Sequence, residues 1–418
     1  MSNSTYCSLP FNHLNIKQKG RVSSCWRTSA EIGNLNTQSL DQIWNDAPLR
    51  ELRRQFLNGE KPKQCESCWD MEAAGIRSTR LGELEDSENT TYEQAKEQTN
   101  SNYEMDTNSL TIIEVRFDNM CNLMCRHCSP VYSSKWEHVL KSDPELLEIS
   151  EEIGNNQTGW DNQFRLTQDT IDEIGQFKNL KHIMVSGGEP LFHSKHYGFL
   201  ENLLPIAHNL EMSYSTNLSL LHYKKYSIVE LWKKFRFMDL RISMDGDDWC
   251  YNYARPFGKL SIIEDNIKTV TSELDNAHIS CSCTTSLFNI TRIPQIFEYF
   301  NSLGAYIHCS LVQEPFAMNP QALPAELKEQ VNKAWEEWLP TARDTFKKAN
   351  NSLDIDKQVK LATTWGEYVM DYMNGKDLYE EYWSDWVKYA NAQDKYHNTN
   401  ILDIYPEYTP YWDNGPIS

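Results

Sequence analysis

Three cysteines on one short loop constrain this chain more than any other feature. Residues 111–128 read TIIEVRFDNMCNLMCRHC. The apolar, β-branched run of Ile112, Ile113, Val115 and Phe117 predicts a buried strand, and Asp118-Asn119 predicts the turn that ends it. Cys121, Cys125 and Cys128 follow at C-x3-C-x2-C spacing. Soft thiolates suit iron, so three on one loop can hold three corners of a cubane iron–sulfur cluster. The fourth iron then has no protein ligand on this loop and is open to a small molecule. A structural zinc site would be closed by a fourth Cys or His. His127 is the nearest such residue, but it adjoins Cys128 and is poorly placed to share its metal.

The stretch from Leu110 to about Val312 alternates between strand-like and helix-like runs, which argues a parallel α/β barrel. Six strands are expected: Thr111–Phe117, His182–Ser186, Glu211–Thr216, Phe237–Met244, His278–Thr284 and Tyr306–Val312. Helices are expected over Thr167–Phe177, Ile228–Phe235, Ile262–Leu274 and Ile293–Leu303, with an irregular insertion at 142–166. Ser186-Gly187-Gly188-Glu189-Pro190 follows the second strand, at the strand end where barrel chemistry sits. Two glycines let backbone approach a ligand closely, and the Glu189 carboxylate can receive an ammonium.

The three-cysteine loop followed one strand later by GGEP resembles the radical S-adenosylmethionine superfamily. The resemblance implies a partial (β/α)6 TIM-like barrel, in agreement with the six strands. It implies that the open iron binds the amino and carboxylate groups of S-adenosylmethionine. Reductive cleavage then yields a 5′-deoxyadenosyl radical, which abstracts hydrogen from a substrate. By the same resemblance Gly187, Gly188, Glu189 and Pro190 meet the methionine part. His127, where the family usually has an aromatic residue, lies against the adenine. Ser215 and Asn217 after the third strand face the ribose or carboxylate, unless they only cap a turn. Ser243 and Asp245 end the fourth strand and are candidates to face substrate or cofactor, while Arg255 in Tyr253-Ala254-Arg255-Pro256 either pairs a carboxylate or braces the loop.

Residues 1–82 form a first unit with Cys7, Cys25, Cys65 and Cys68. The first pair reads C-x12-G-x4-C through Gly20, on an apparent hairpin whose strand ends carry the two thiols. One helix is expected over 39–60, capped by Ser39 or Asp41, and the second pair follows Pro62 on a loop. The pattern resembles the SPASM and twitch auxiliary-cluster modules. It lacks the later C-x5-C-x3-C of a full SPASM module, so one auxiliary [4Fe-4S] cluster is implied, with a four-thiolate zinc site as the alternative. Such modules usually follow the barrel; this one precedes it.

Residues 83–108 are polar and acidic and read as a solvated linker between the first unit and the barrel at 109–319. Residues 320–418 read as a helical, aromatic-rich cap whose rings pack, with an extended Pro- and Tyr-rich tail. Cys281, Cys283 and Cys309 read as core thiols. Cys250, in a loop after a strand, is either a buried thiol or a hydrogen donor to a product radical.

The chain has 418 residues, a formal charge of −19 and eleven cysteines. Such acidity disfavours non-specific binding to bulk nucleic acid or acidic membrane. No apolar run approaches the roughly 18–20 residues that span a bilayer, and the N-terminus lacks the basic and apolar regions of a signal peptide. Unpaired cysteines then place the protein in reducing cytoplasm. The resemblance implies a peptide or small-molecule substrate and an electron donor such as flavodoxin or ferredoxin. A peptide or protein side chain is the leading substrate class. A small nucleotide or sugar-nucleotide is the alternative, and a non-catalytic zinc-stabilised binding module is the reading from another class.

Overall fold

The computed structural model describes residues 4–28, 30–73, 77–85, 89–155, 166–349 and 351–412. Its strands are β1 (His13–Ile16), β2 (Arg21–Ser23), β3 (Gly33–Asn34), β4 (Ile112–Arg116), β5 (His182–Ser186), β6 (Glu211–Thr216), β7 (His222–Tyr223), β8 (Tyr226–Ser227), β9 (Phe237–Ser243), β10 (Ala277–Thr285) and β11 (Tyr306–Leu311). One sheet has the order β11-β10-β9-β6-β5-β4-β1-β2-β3, and β7 pairs with β8 apart from it. The six strands expected of the barrel are β4, β5, β6, β9, β10 and β11, each end within one residue of its expected place. Helices Gln168–Ile174, Ser194–Leu203, Ile228–Trp232, Leu260–Glu273 and Ile293–Ser302 alternate with them. With β4 parallel to β5 and β10 parallel to β11, this is the α/β fold of a partial (β/α)6 barrel.

The chain packs as two units. The first holds Met1–Asp118, Asn162–Ser213 and Lys233–Met238; the second holds Asn119–Asp161, Tyr214–Trp232 and Asp239–Ser418.

In the first unit the N-terminal hairpin is part of the barrel sheet, which sequence did not reveal. β1 runs parallel to β4, pairing His13 with Ile112, Leu14 with Ile113 and Asn15 with Glu114. β2 returns antiparallel to β1 after a turn in which Gly20 has φ +73°, a conformation suited to glycine. Leu14, Ile16, Ile113, Val115, Ile183 and Val185 form the buried apolar face, while His13, Asn15, Glu114 and Arg116 occupy the other. The helix expected over 39–60 is two helices, Leu40–Trp44 and Ala47–Leu57. Asp46 breaks it, because its carboxylate caps the second helix just before Pro48. Ser39 caps the first in a capping box with Gln42.

The acidic stretch expected to be a solvated linker is tied down. Tyr6 Oη donates to Thr90 O at 2.7 Å, Asn45 Nδ2 to Met105 O at 2.9 Å and Trp44 Nε1 to Asp106 O at 3.2 Å. Backbone carbonyls, not side chains, make these contacts, so composition did not show them.

In the second unit, helix Pro144–Glu152 follows helix Ser134–Ser142 and replaces the first part of the insertion expected to be irregular. Asp143 both ends one and caps the other, and 156–165 lie outside the described residues. Long helices follow at Ala325–Trp338, Ile355–Gly375 and Tyr379–His397. Gln358 fastens the second of these to the edge strand β11, accepting from Ile307 N at 3.3 Å and donating to Ala305 O at 3.1 Å. A Cβ on Gly366 would lie 2.0 Å from the Trp335 ring, so glycine lets these helices touch. The tail folds into short turns at Ile401–Ile404, Pro406–Tyr408 and Thr409–Trp412 instead of running extended, and 413–418 lie outside the described residues. Among the described residues, no helix is long and apolar enough to cross a membrane.

Leu14 tests the docking of β1. It is fully buried opposite Ile113, so Leu14→Ala should cost about 2–5 kcal/mol. Hydrogen exchange at amides 112–116 should accelerate; unchanged protection there would mean that β1 does not hold β4.

Candidate functional site

The four thiols of the first unit come from separate elements. Cys7 precedes helix Leu9–Asn12, and Cys25 lies just past β2. Cys65 ends a 3-10 turn and Cys68 lies inside helix Glu66–Ala73, a correction to the loop expected for this pair. All four line one pocket with Leu9 and Phe56. Burial pushes the Cys7 thiol well above its ordinary range, and Cys25, Cys65 and Cys68 add to the shift. Burial and the neighbouring Cys25 and Cys68 push Cys65 up to about 12. Four thiolates so placed require a compensating cation, which is the chemistry of an iron–sulfur cluster or a metal. Among the described residues, no three His, Cys, Asp or Glu side chains are arranged to hold a single ion. One zinc ion would draw its sulfurs to about 2.3 Å from itself, whereas a cubane spreads them over its corners. Four thiols around one pocket are the donor set of a cluster with every corner closed.

Arg80 braces this pocket. It pairs with Glu72 at 2.6 Å, donates to Tyr6 O at 2.8 Å and lies 4.8 Å from the Trp69 ring centroid. It thus links the segment before Cys7 to the helix that carries Cys68, a contact no local signal predicted.

The turns after β4 and β5 interlock. Gly188 N donates to Asp118 O at 3.2 Å. Gly187 has φ +123°, and a Cβ there would lie 3.1 Å from the same carbonyl. Glu189 is buried, and one of its carboxylate oxygens accepts from Leu191 N at 3.1 Å, capping the turn that begins at Pro190. His193, missed in the sequence, has its Nδ1 taken by Lys195 N–H, so its Nε2 donates to Asp118 at 2.9 Å.

In the second unit the loop of Cys121, Cys125 and Cys128 is held by its backbone. Met124 N and Arg126 N donate to Pro256 O at 3.3 Å and Ala254 O at 3.0 Å. Cys125 O accepts from Trp136 Nε1 at 2.9 Å, and Cys128 O accepts from Asn155 at 3.1 Å. Cys121 Sγ accepts from Leu123 N at 3.4 Å. Burial pushes the Cys128 thiol well above its ordinary range, and Cys125 and Cys121 add to it. These three thiols likewise fit a cationic cluster.

Arg126 is the centre of that support. Its guanidinium is fully buried, 3.0 Å from Asp394 and 3.6 Å from the Tyr253 ring centroid. It also donates to Tyr253 O at 2.8 Å and Thr399 Oγ1 at 2.7 Å. Helix Tyr379–His397 thereby supports the loop, and Gln393 and Tyr389 reinforce it through Arg126 O and Asn155.

Asp245 is fully buried and makes a 2.6 Å ion pair with Arg255. It lies 3.4 Å from His127 Nε2 and accepts from Thr284 N at 2.8 Å. Arg255 thus pairs a carboxylate of the protein itself. Burial lowers the His127 pKa, so its ring is neutral at physiological pH. Asn217 donates to Asn122 Oδ1 at 3.0 Å, and Asn122 donates to Ser219 at 2.8 Å, tying the turn after β6 to the cysteine loop. Ser215 is exposed and Ser243 half-buried. Cys250 is fully buried with Sγ 3.1 Å from Asp247, and burial, then Asp247, pushes its thiol up to about 12. Cys281, Cys283 and Cys309 are buried in the core.

Asp394→Ala leaves Arg126 buried without its countercharge and should cost about 3–5 kcal/mol. The double variant Arg126→Met/Asp394→Leu should regain most of that stability. Calorimetry checks both; a double variant as unstable as the single one would show that packing, not charge, holds the loop.

Residues 115–289 match the family model described as the radical SAM superfamily, and residues 7–69 match SPASM, described as an iron–sulfur cluster-binding domain. No curated protein matches the chain. Among solved structures the chain is similar to native anSMEcpe with bound AdoMet and Cp18Cys peptide, at 14% identity and TM-score 0.38, over 58% of this chain and 62% of that one. It is also similar to TYW1 with a lysine-pyruvate adduct bound, at 14% identity and TM-score 0.30, over 55% of this chain and 71% of that one. The chain thus spans less than two thirds of the first of these structures. The two family matches, which together cover more than half of the chain, carry the assignment: the chain joins an iron–sulfur cluster-binding SPASM domain to a following domain of the radical S-adenosylmethionine superfamily.

Proposed function

We propose that Cys121, Cys125 and Cys128 hold the [4Fe-4S] cluster that binds S-adenosylmethionine, and that Cys7, Cys25, Cys65 and Cys68 hold the auxiliary cluster. The observation that carries this reading is the convergence of each cysteine set, one on a single pinned loop and one around a single pocket. Three thiols leave one iron open; four close every corner. When bound, the cofactors supply a 5′-deoxyadenosyl radical that abstracts hydrogen from substrate. The protein's own part is to bind, orient and exclude water.

Glu189 receives the methionine ammonium, and Gly187, Gly188 and Pro190 shape the turn that admits it. His127, held beside Asp245 and Arg255, lies against the adenine; Ser215, Asn217 and Ser243 offer polar contacts to the rest of the cofactor or to substrate. An electron donor of the flavodoxin or ferredoxin type reduces the cluster. The substrate is a peptide or protein side chain. The SPASM domain supports that class, and so does the polar face of β9, β10 and β11. There His278 meets Asp239 at 3.1 Å, Ser282 meets His308 at 2.9 Å and Ser310 meets Thr284 at 3.3 Å. These groups supply donors and acceptors of the kind a peptide requires. The test is peptide-dependent formation of 5′-deoxyadenosine above the uncoupled rate; stimulation by nucleotides and not by peptides would overturn the substrate class.

Replacing Cys121, Cys125 and Cys128 together with Ala should abolish 5′-deoxyadenosine formation under dithionite and leave about four irons per chain. Undiminished cleavage would sink the assignment of that loop. Glu189→Gln should weaken S-adenosylmethionine binding by about tenfold or more, the loss of a charge-assisted hydrogen bond, with the cluster spectrum intact. Unchanged affinity would place the ammonium elsewhere.

A further inference from the structure

Four polar atoms on one face of β1 and β4 have no hydrogen-bond partner among the described residues: His13 Nε2, Asn15 Nδ2, Asn15 Oδ1 and Glu114 Oε2. His13 and Asn15 are fully buried, and Glu114 is 5% exposed. Asn15 stands opposite Glu114 in the parallel pair, with His13 two residues along the same face. A buried polar atom without a partner is destabilising, and apolar side chains of similar shape would avoid that cost. Such a concentration on two adjacent strands therefore points to a group that is not part of the chain.

The donors and acceptors define that group. His13 Nδ1 is 2.9 Å from Ser24 O, and a carbonyl only accepts, so Nδ1 carries the proton and Nε2 a lone pair. Burial keeps the ring neutral. The face thus offers acceptors at His13 Nε2, Asn15 Oδ1 and Glu114 Oε2, and donors at Asn15 Nδ2; exchanging the two amide atoms of Asn15 does not alter the inventory. The other Glu114 oxygen already accepts from Arg116 at 2.9 Å and Ser186 at 3.3 Å. Lys17, directly after β1, and Arg116 on β4 both interact electrostatically with Glu114, which disfavours a further cationic ligand. A carboxylate would meet three acceptors. A neutral group with N–H donors and one carbonyl matches. Lys17, Arg116 and Ser186 are half-buried and mark the open side of the face. Ser24 directly precedes Cys25, and Trp26 meets the His13 ring edge-on at 5.7 Å, so the face adjoins the four-thiol pocket.

We propose that His13, Asn15 and Glu114 bind a carboxamide or main-chain amide of the substrate beside the auxiliary pocket. This rests on the peptide reading for the substrate's identity, but its test uses neither peptide nor turnover. The anaerobically reconstituted full chain is titrated with acetamide, methylammonium and acetate, each followed by saturation-transfer NMR. Acetamide should bind saturably and in preference to both ions. Asn15→Leu should weaken it by about tenfold, through loss of two hydrogen bonds, while its melting temperature rises and its iron content stays the same. Glu114→Gln, which keeps shape and an acceptor, should weaken it by about threefold, the loss of part of one bond. No saturable acetamide signal in the iron-replete wild type would overturn the proposal. So would equal binding of methylammonium, or acetamide binding unchanged in both variants. Failure of peptides to stimulate cleavage, with acetamide bound as expected, would count against the peptide reading alone.

Discussion

A single buried guanidinium supports the cysteine loop. Arg126 lies within the C-x3-C-x2-C stretch, where sequence gives it no special standing. In the structure it joins that loop to Tyr253, Asp394 and Thr399. A charge with no solvent exposure is tolerated only when paired and hydrogen-bonded on several sides, so these partners cannot be exchanged freely. The C-terminal helices are thereby part of the loop's support as well as packing. Trp136, Asn155 and Gln393 complete the support by occupying backbone groups beside the cysteines. Thiols on a loop fastened in this way are held at fixed positions before any cofactor arrives, which is the condition for orienting one.

The N-terminal domain solves a different problem. A small Cys-rich segment has little core of its own. Here it borrows one: β1 pairs with β4, and Leu14 and Ile16 join the apolar face of Ile113 and Val115. A domain that precedes the barrel in sequence thus becomes a wall of the same sheet. The opposite face then carries His13 and Asn15 next to Glu114, which places polar groups of the N-terminal domain alongside those of the barrel.

Much of this was legible in the residues. The six barrel strands were readable because each is a short apolar run bounded by turn residues, and their ends fall within one residue of expectation. The cysteine spacings and the GGEP turn were readable because their chemistry is local. The helix break at Asp46, the helix that carries Cys68 and the helices on either side of Asp143 were not. At Asp46 and Asp143 a capping side chain beside a proline overrode the periodicity. The acidic segment before the barrel misled because several of its anchors are backbone carbonyl oxygens, which composition does not reveal. Asp118 with His193, and Asp245 with Arg255 and His127, join residues that no spacing relates.

By itself, then, the sequence determined the donor atoms, the six barrel strands and the family resemblance, because thiolate spacing, hydrophobic alternation and turn chemistry are properties of neighbouring residues. The tertiary structure decided which thiols share a pocket, which carboxylate pairs Arg255 and which strand β1 joins. It also decided that four polar atoms beside the auxiliary pocket lack partners among the described residues. Those outcomes depend on burial and on contacts between residues far apart in the chain, where a buried charge or amide must find its partner in space rather than in sequence.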